Sequence, residues 1–137
     1  MEVVRFPSGT HTAEDAARAI GCYLAQIVKS LVFLAGDGVV IVLLSGADRV
    51  DEAKLSAALQ APQARRATAK EVRDRTGFAV GGVPPFGHGP SVRVVFDHAL
   101  LGYDTVWAAA GLPDAVFSSP PAELARASGA VVADVRI

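Results

Sequence analysis

The sequence predicts a mixed α+β fold of the broad α/β class: one domain with a largely antiparallel mixed sheet or open barrel and short helices packed on it. Three observations predict it. Strand-like and helical runs alternate irregularly, without the repeated strand–helix–strand units of a doubly wound parallel sheet. Two apolar, β-branched runs, Gln26 to Ala35 and Val39 to Leu44, flank Gly36-Asp37-Gly38 at the spacing of a hairpin. At 137 residues the chain suits one hydrophobic core rather than two, so residues 1–137 are expected to form a single domain.

The other elements follow from caps and breakers. Thr12-Ala13-Glu14-Asp15 reads as a helix start, with Ala16, Ala17, Ala19 and Ile20 as its apolar face and Gly21 as its end. A second helix begins at Asp51 and runs through Leu59, stopped near Pro62. Thr68 with Glu71 three residues on makes a capping box for a third, closed by Gly77. Val92 to Asp97 reads as a strand. Two more, Val106 to Ala110 and Ala115 to Phe117, are expected around the Gly111-Leu112-Pro113 turn. Ser119 is expected to cap a last helix with Pro120 in its first turn and Gly129 at its end, and Val131 to Val135 closes the chain as a strand.

Composition bounds the function. No apolar run approaches the roughly 18 residues that cross a bilayer, and the N-terminus lacks the basic flank and apolar core of a secretion signal. The expectation is a soluble, cytoplasmic protein with no membrane partner. Cys22 is the only cysteine, which rules out an internal disulfide and a cysteine metal cluster, and His11, His88 and His98 lack zinc-like spacing. No cofactor or metal is expected. The formal charge of −1 predicts no nucleic-acid partner globally, so any such contact needs a local patch. Arg65, Arg66, Lys70, Arg73 and Arg75 form the most basic segment, but Glu71 and Asp74 interleave with them, as on a solvated helix face.

Gly81-Gly82-Val83-Pro84-Pro85-Phe86-Gly87-His88 can form neither a helix nor an interior strand. Two prolines fix φ, and three glycines let the main chain approach a ligand closely, so the segment reads as a rigid, shaped loop or as a plain surface connection. Lys29 stands inside an apolar strand. A buried, unpaired ammonium is costly, so its head must reach solvent, a carboxylate or a ligand. Ser30, next to it, faces the opposite side of a regular strand, which disfavours a Ser/Lys dyad. Cys22 follows a helix-ending glycine in apolar surroundings and reads as a packing residue.

Four motifs in order carry a resemblance over nearly the whole chain: Thr12-x-x-Asp15-Ala16-Ala17; Ile27-Val28-Lys29-Ser30-Leu31-Val32-Phe33; Gly46-x-x-Arg49-Val50-Asp51; and Gly77-Phe78-x-x-Gly81-Gly82 through His88. On these the chain is identified as a member of the YbaK/EbsC family, stand-alone relatives of the editing domain inserted in bacterial prolyl-tRNA synthetases. The resemblance implies hydrolysis of the ester joining a wrong amino acid to the 3′ end of a tRNA. The prolyl tRNA bearing cysteine, alanine or another small amino acid is the expected substrate. A prolyl-tRNA synthetase or an elongation factor is the expected protein partner. Non-catalytic tRNA or synthetase binding, and a drifted small-molecule pocket, are the rival readings.

The same resemblance implies catalytic roles for Lys29 and Gly82. It places Ser30, Gly81, Val83, Pro84, Pro85, Phe86, Gly87, His88, Ala110 and Gly111 around the substrate. The chemistry it implies is substrate-assisted: the vicinal 2′-hydroxyl positions the attacking water, and main-chain N–H groups of the loop favour the oxyanion. Phe33, Val80, Val83, Phe86 and Ala110 are candidate pocket walls that fit equally well as core. Alanine-directed relatives have a His-Pro stretch where this chain reads Gly111-Leu112-Pro113-Asp114, and cysteine-directed ones a serine where it has Ala110. The accepted amino acid therefore stays open.

Overall fold

The computed structural model describes residues 3–5, 12–61, 63–112 and 114–137. His11, Pro62 and Pro113 of the sequence reading lie outside the described residues. Among the described residues eight strands and four helices alternate in the order β1 (Val3–Arg5), α1 (Ala13–Ile20), β2 (Val28–Ala35), β3 (Gly38–Ser45), α2 (Glu52–Leu59), β4 (Arg65–Arg66), α3 (Ala69–Thr76), β5 (Arg93–Asp97), β6 (Val106–Ala109), β7 (Ala115–Ser119), α4 (Pro121–Ala127) and β8 (Val131–Ala133). Short 3₁₀ turns precede β2 at Leu24–Gln26 and follow β5 at His98–Gly102.

Among the described residues the strands form two sheets and no closed barrel. One is three-stranded and antiparallel, in the order β1-β7-β6; the other is five-stranded, in the order β4-β2-β3-β5-β8. In the larger sheet β2 pairs antiparallel with β3 and β4, whereas β3–β5 and β5–β8 are parallel. The mixed, largely antiparallel expectation holds.

β3 is central, with a strand on either side, so it is apolar nearly throughout and buried from Val39 to Ser45. Its period of two divides the core. Ile41 and Leu43, with Val28, Val32 and Phe96, face Val83, Val106 and Leu124. Val40, Val42 and Leu44, with Phe33 and Val95, face Leu55 and Leu59 of α2. A smaller cluster, Ala16, Ala17 and Ile27 with Trp107 against it, seats α1 beside the junction of the sheets.

The caps match the sequence in three helices. Thr12 Oγ1 accepts from Asp15 N–H at 3.1 Å, Asp51 accepts from Ala53 and Lys54 N–H, and Thr68 with Glu71 forms the reciprocal box that opens α3. α4 departs from expectation. Ser119 is the last residue of β7 and donates to the Pro120 carbonyl, Pro120 is the N-cap with no side-chain bond, and Pro121 takes the first helical position. A second proline at N1 loses nothing, because that N–H has no helical acceptor.

Further corrections concern short elements. Gln26 ends a 3₁₀ turn, so β2 begins at Val28. Arg65 and Arg66 lie on a two-residue strand paired with Leu34 and Phe33, not on a helix with Lys70 and Arg73. β1 adds a strand beyond the sequence expectation, because three residues carry too little periodicity to register.

Candidate active site

A cavity of about 230 Å³ opens where the uncovered edge of β2 meets the smaller sheet. β2 contributes Val28, Lys29, Ser30, Leu31 and Val32; α1 brings Ala13 and Ala16; the 80s loop brings Val80, Gly81 and Val83. Trp107, Ala109 and Val116 close it from the smaller sheet, and Arg66, Ala67 and Val72 from β4 and α3. Most of this wall is apolar, which suits a small uncharged side chain. Among the described lining residues there is no Cys, His, Asp or Glu, and no group of His, Cys, Asp or Glu among the described residues could hold a metal.

Lys29 is the half-buried cation of the wall. Its ammonium donates to the main-chain carbonyl of Asp48. Burial lowers its pKa below the ordinary lysine value, and the neighbouring Arg66 charge lowers it further against smaller pulls from Asp48 and Glu14. Such a cation is incompletely solvated and gains by meeting an anion.

Arg66, expected on a solvated helix face, is exposed at the rim of the cavity on β4. Its neighbours are engaged: Arg65 forms a two-pronged pair with Glu71 at 2.7 and 2.9 Å, Lys70 pairs with Asp74 at 3.2 Å, and Arg75 donates to the Asp37 carbonyl. Arg66 makes no side-chain hydrogen bond or ion pair with another described residue. A dipeptide strand gives no sequence signal, and only its pairing with Phe33 brings this guanidinium to the β2 edge.

The loop divides sharply. Gly81 can offer only main-chain atoms to the cavity, and it holds φ of 89°, a conformation that favours glycine. Gly82 does not line the cavity, and its N–H is engaged with the Ala79 carbonyl at 2.9 Å. Gly81 and Val83 N–H make no hydrogen bond with another described residue. Pro84, Pro85, Phe86, Gly87 and His88 lie outside the lining. His88 Nε2 donates to the Pro84 carbonyl at 2.7 Å and its ring meets Phe78 edge-on, while Phe86 packs against Phe117. These residues brace the loop from behind.

Ala110 and Gly111 also lie outside the lining, in the β6–β7 turn, where Ala110 N–H donates to the Ala115 carbonyl. Of the five wall candidates, Val80 and Val83 line the cavity, whereas Phe33, Phe86 and Ala110 pack elsewhere. Cys22 packs near Ala16 and Ile27, outside the lining, and burial raises its thiol pKa, which disfavours the nucleophilic thiolate.

Residues 7–127 match the family model of the aminoacyl-tRNA editing domain. The chain belongs to the aminoacyl-tRNA editing domain family. The crystal structure of a candidate trans-editing enzyme for prolyl tRNA synthetase superposes with a TM-score of 0.92 at 47% identity, covering 99% of this chain and 86% of that one. An uncharacterized protein of Bacillus subtilis, YwhH, is 34% identical over 128 residues, 93% of this editing domain and 81% of YwhH. The proline–tRNA ligase of Thermotoga neapolitana is 36% identical over 102 residues, 74% of this chain but 17% of the ligase. The editing domain thus corresponds to about one sixth of that synthetase. It is an aminoacyl-tRNA deacylase, an ester hydrolase acting on tRNA. Among the described residues no helix of this editing domain is long and apolar enough to cross a membrane.

Proposed function

We propose that this editing domain acts in trans, in the cytoplasm where tRNA is charged, and removes a small, wrongly attached amino acid from the tRNA of proline. The observation that carries the reading is the half-buried Lys29 ammonium on the wall of a small apolar cavity, with Arg66 at its rim. A pocket this size admits a short side chain. A second pocket is useful because one missing methylene gives a synthetase only about 10–200-fold discrimination.

Water adds to the ester carbonyl, the oxyanion collapses, and the 3′ oxygen leaves with a proton, giving free amino acid and intact tRNA. Among the described residues the wall supplies no general base, so the 2′-hydroxyl vicinal to the ester orients the water. Lys29 exchanges the Asp48 carbonyl for the charge developing on the ester, or for the terminal phosphate. Arg66 holds the phosphate that follows. Gly81 and Val83, rather than Gly82, carry the main-chain N–H groups free to meet the oxyanion, each worth about 3 kcal/mol when well aimed. A prolyl-tRNA synthetase or an elongation factor would deliver the substrate.

Purified protein incubated with a panel of mischarged tRNAs tests the reading. Release of one small amino acid from the proline tRNA, above the rate without enzyme, is the expected result. Binding without release, or release from every tRNA alike, would refute it.

A further inference from the structure

Part of the cavity wall is a stretch of the β2 edge that enters no strand pairing on that side. β2 pairs with β3 along its whole length, but on its other side β4 reaches only Phe33 and Leu34, and the bridge to Trp107 is at Ile27. Register decides which groups this leaves over. Gly46 N–H donates to the Ile27 carbonyl at 2.6 Å, so Ile27 belongs to the set of β2 positions bonded to β3. Alternation then adds Lys29 and Leu31, opposite Leu44 and Val42. The N–H and carbonyl of Ser30 point the other way, toward the open edge. Val32 confirms the direction, since its carbonyl accepts from Ala67 N–H at 2.9 Å on that side. No strand pair on that side includes Ser30: β4 stops at Phe33 and the bridge to Trp107 is at Ile27.

The Ser30 side chain is unmatched as well. Its Oγ is buried without a hydrogen-bond partner, and it is the one such side-chain atom among the described residues. A buried hydroxyl left unpaired costs about 1–3 kcal/mol, so an orphan beside a cavity marks where a ligand atom belongs. Ser30 lines that cavity. The wall thus holds a partnerless hydroxyl on a residue whose main chain lies outside every strand pair on that side.

The chemistry of an aminoacyl ester indicates what fills the vacancy. Its α-amino group, on the carbon next to the reacting carbonyl, must enter the cavity and find acceptors. Lys29 and Arg66 are donors only. No carboxylate is present among the described lining residues, and Thr12 Oγ1 already accepts from Asp15 N–H. Among the side-chain acceptors of the described lining, the Ser30 hydroxyl is the one without a hydrogen-bond partner.

We propose that Ser30 is the α-amino subsite, its main-chain carbonyl and Oγ accepting the amino N–H groups as an added strand would be accepted at this edge. The proposal rests on the deacylase reading and specifies its substrate class: esters of amino acids with a free α-amino group. An N-acylated amino acid offers one amide N–H and a bulky carbonyl in its place. Growing peptidyl-tRNA would thereby be spared.

The test uses three non-hydrolysable 3′-amide adenosine ligands: the amino acid released in the mischarged-tRNA assay, its des-amino counterpart, and its N-acetyl form. Affinities are measured by calorimetry for the native protein and for Ser30→Ala, with turnover followed in parallel. The free-amino ligand should bind the native protein most tightly and lose about tenfold with Ser30→Ala, while the des-amino ligand loses nothing. The melting temperature of Ser30→Ala should not fall, since an unpaired hydroxyl is replaced by a methyl. Equal losses for both ligands, no loss for either, or N-acetyl binding as tight as the free amine would overturn the α-amino assignment, even with turnover intact. Absence of turnover on every tRNA would instead sink the deacylase reading.

Discussion

The Lys29 ammonium is tied to the main-chain carbonyl of Asp48, a neutral acceptor, although Asp48 also carries a carboxylate. That carboxylate instead lies 3.9 Å from Arg136 of the C-terminal tail. Lys29 is thus held in place but not neutralised. A cation bonded to a carbonyl keeps its full charge for an incoming anion, whereas one in a salt bridge would have to break it first.

Lys29→Ala should therefore lower deacylation about 10²–10³-fold while moving the melting temperature by a few degrees at most, because the ammonium contacts no apolar core. Parallel losses in both quantities would show that the lysine is structural.

The same residue sets a pH dependence. Burial and Arg66 lower its pKa, so the ammonium deprotonates at a lower pH than an ordinary lysine, near 10.5, would. kcat/KM should fall as pH rises through that lowered value, with its midpoint below 10.5. Stability runs oppositely: the cost of burying the charge is present at neutral pH and disappears as pH rises past the folded-state pKa. Lys29→Met should abolish this alkaline limb. A limb unchanged in Lys29→Met would assign it to another group.

Arg66 stands at the rim with no side-chain partner among the described residues, so its substitution should change binding more than chemistry. Arg66→Ala is expected to raise KM several-fold with kcat nearly kept. It should also reduce the slope of log affinity against log salt by about 0.7, the share of one single-stranded phosphate contact. An unchanged salt slope would remove the phosphate role.

Gly46 shows a packing requirement that no turn propensity signals. A Cβ at this position would sit 2.8 Å from the Leu24 carbonyl oxygen, main chain that cannot swing aside. Gly46→Ala should destabilise the fold by about 1–3 kcal/mol and displace the loop that presents the Asp48 carbonyl to Lys29. Chemical denaturation and the deacylation rate should both report it.

Asp97 is fully buried at the end of β5, with one carboxylate oxygen accepting from Val135 N–H at 3.0 Å and the other from Ala99 N–H at 3.1 Å. Asp97→Ala leaves two donors unpaired and should cost about 2–4 kcal/mol, with Asp97→Asn costing less because it keeps an acceptor. Residual activity at low temperature should be near native, since Asp97 does not line the cavity. A melting temperature equal to the native one would contradict this.

Local chemistry was legible in the sequence because it acts over three or four residues. The Thr68/Glu71 box, the Asp51 cap, the Gly36-Asp37 hairpin and the lysine inside an apolar strand each depend on neighbours in the chain. The motifs that identify the editing family are likewise linear. Tertiary structure alone decided which of those residues meet. The parallel pairing of β3 with β5 crosses about 50 residues, and it is the chain between them that brings Arg66, Gly81 and Val83 to one strand edge. It also left Gly82 and His88 outside the cavity lining while bringing Gly81 into it. The reason is physical: a side chain's type and period are fixed by covalent order, but an unpaired carbonyl or an orphaned hydroxyl such as that of Ser30 exists only once every other group has found its partner.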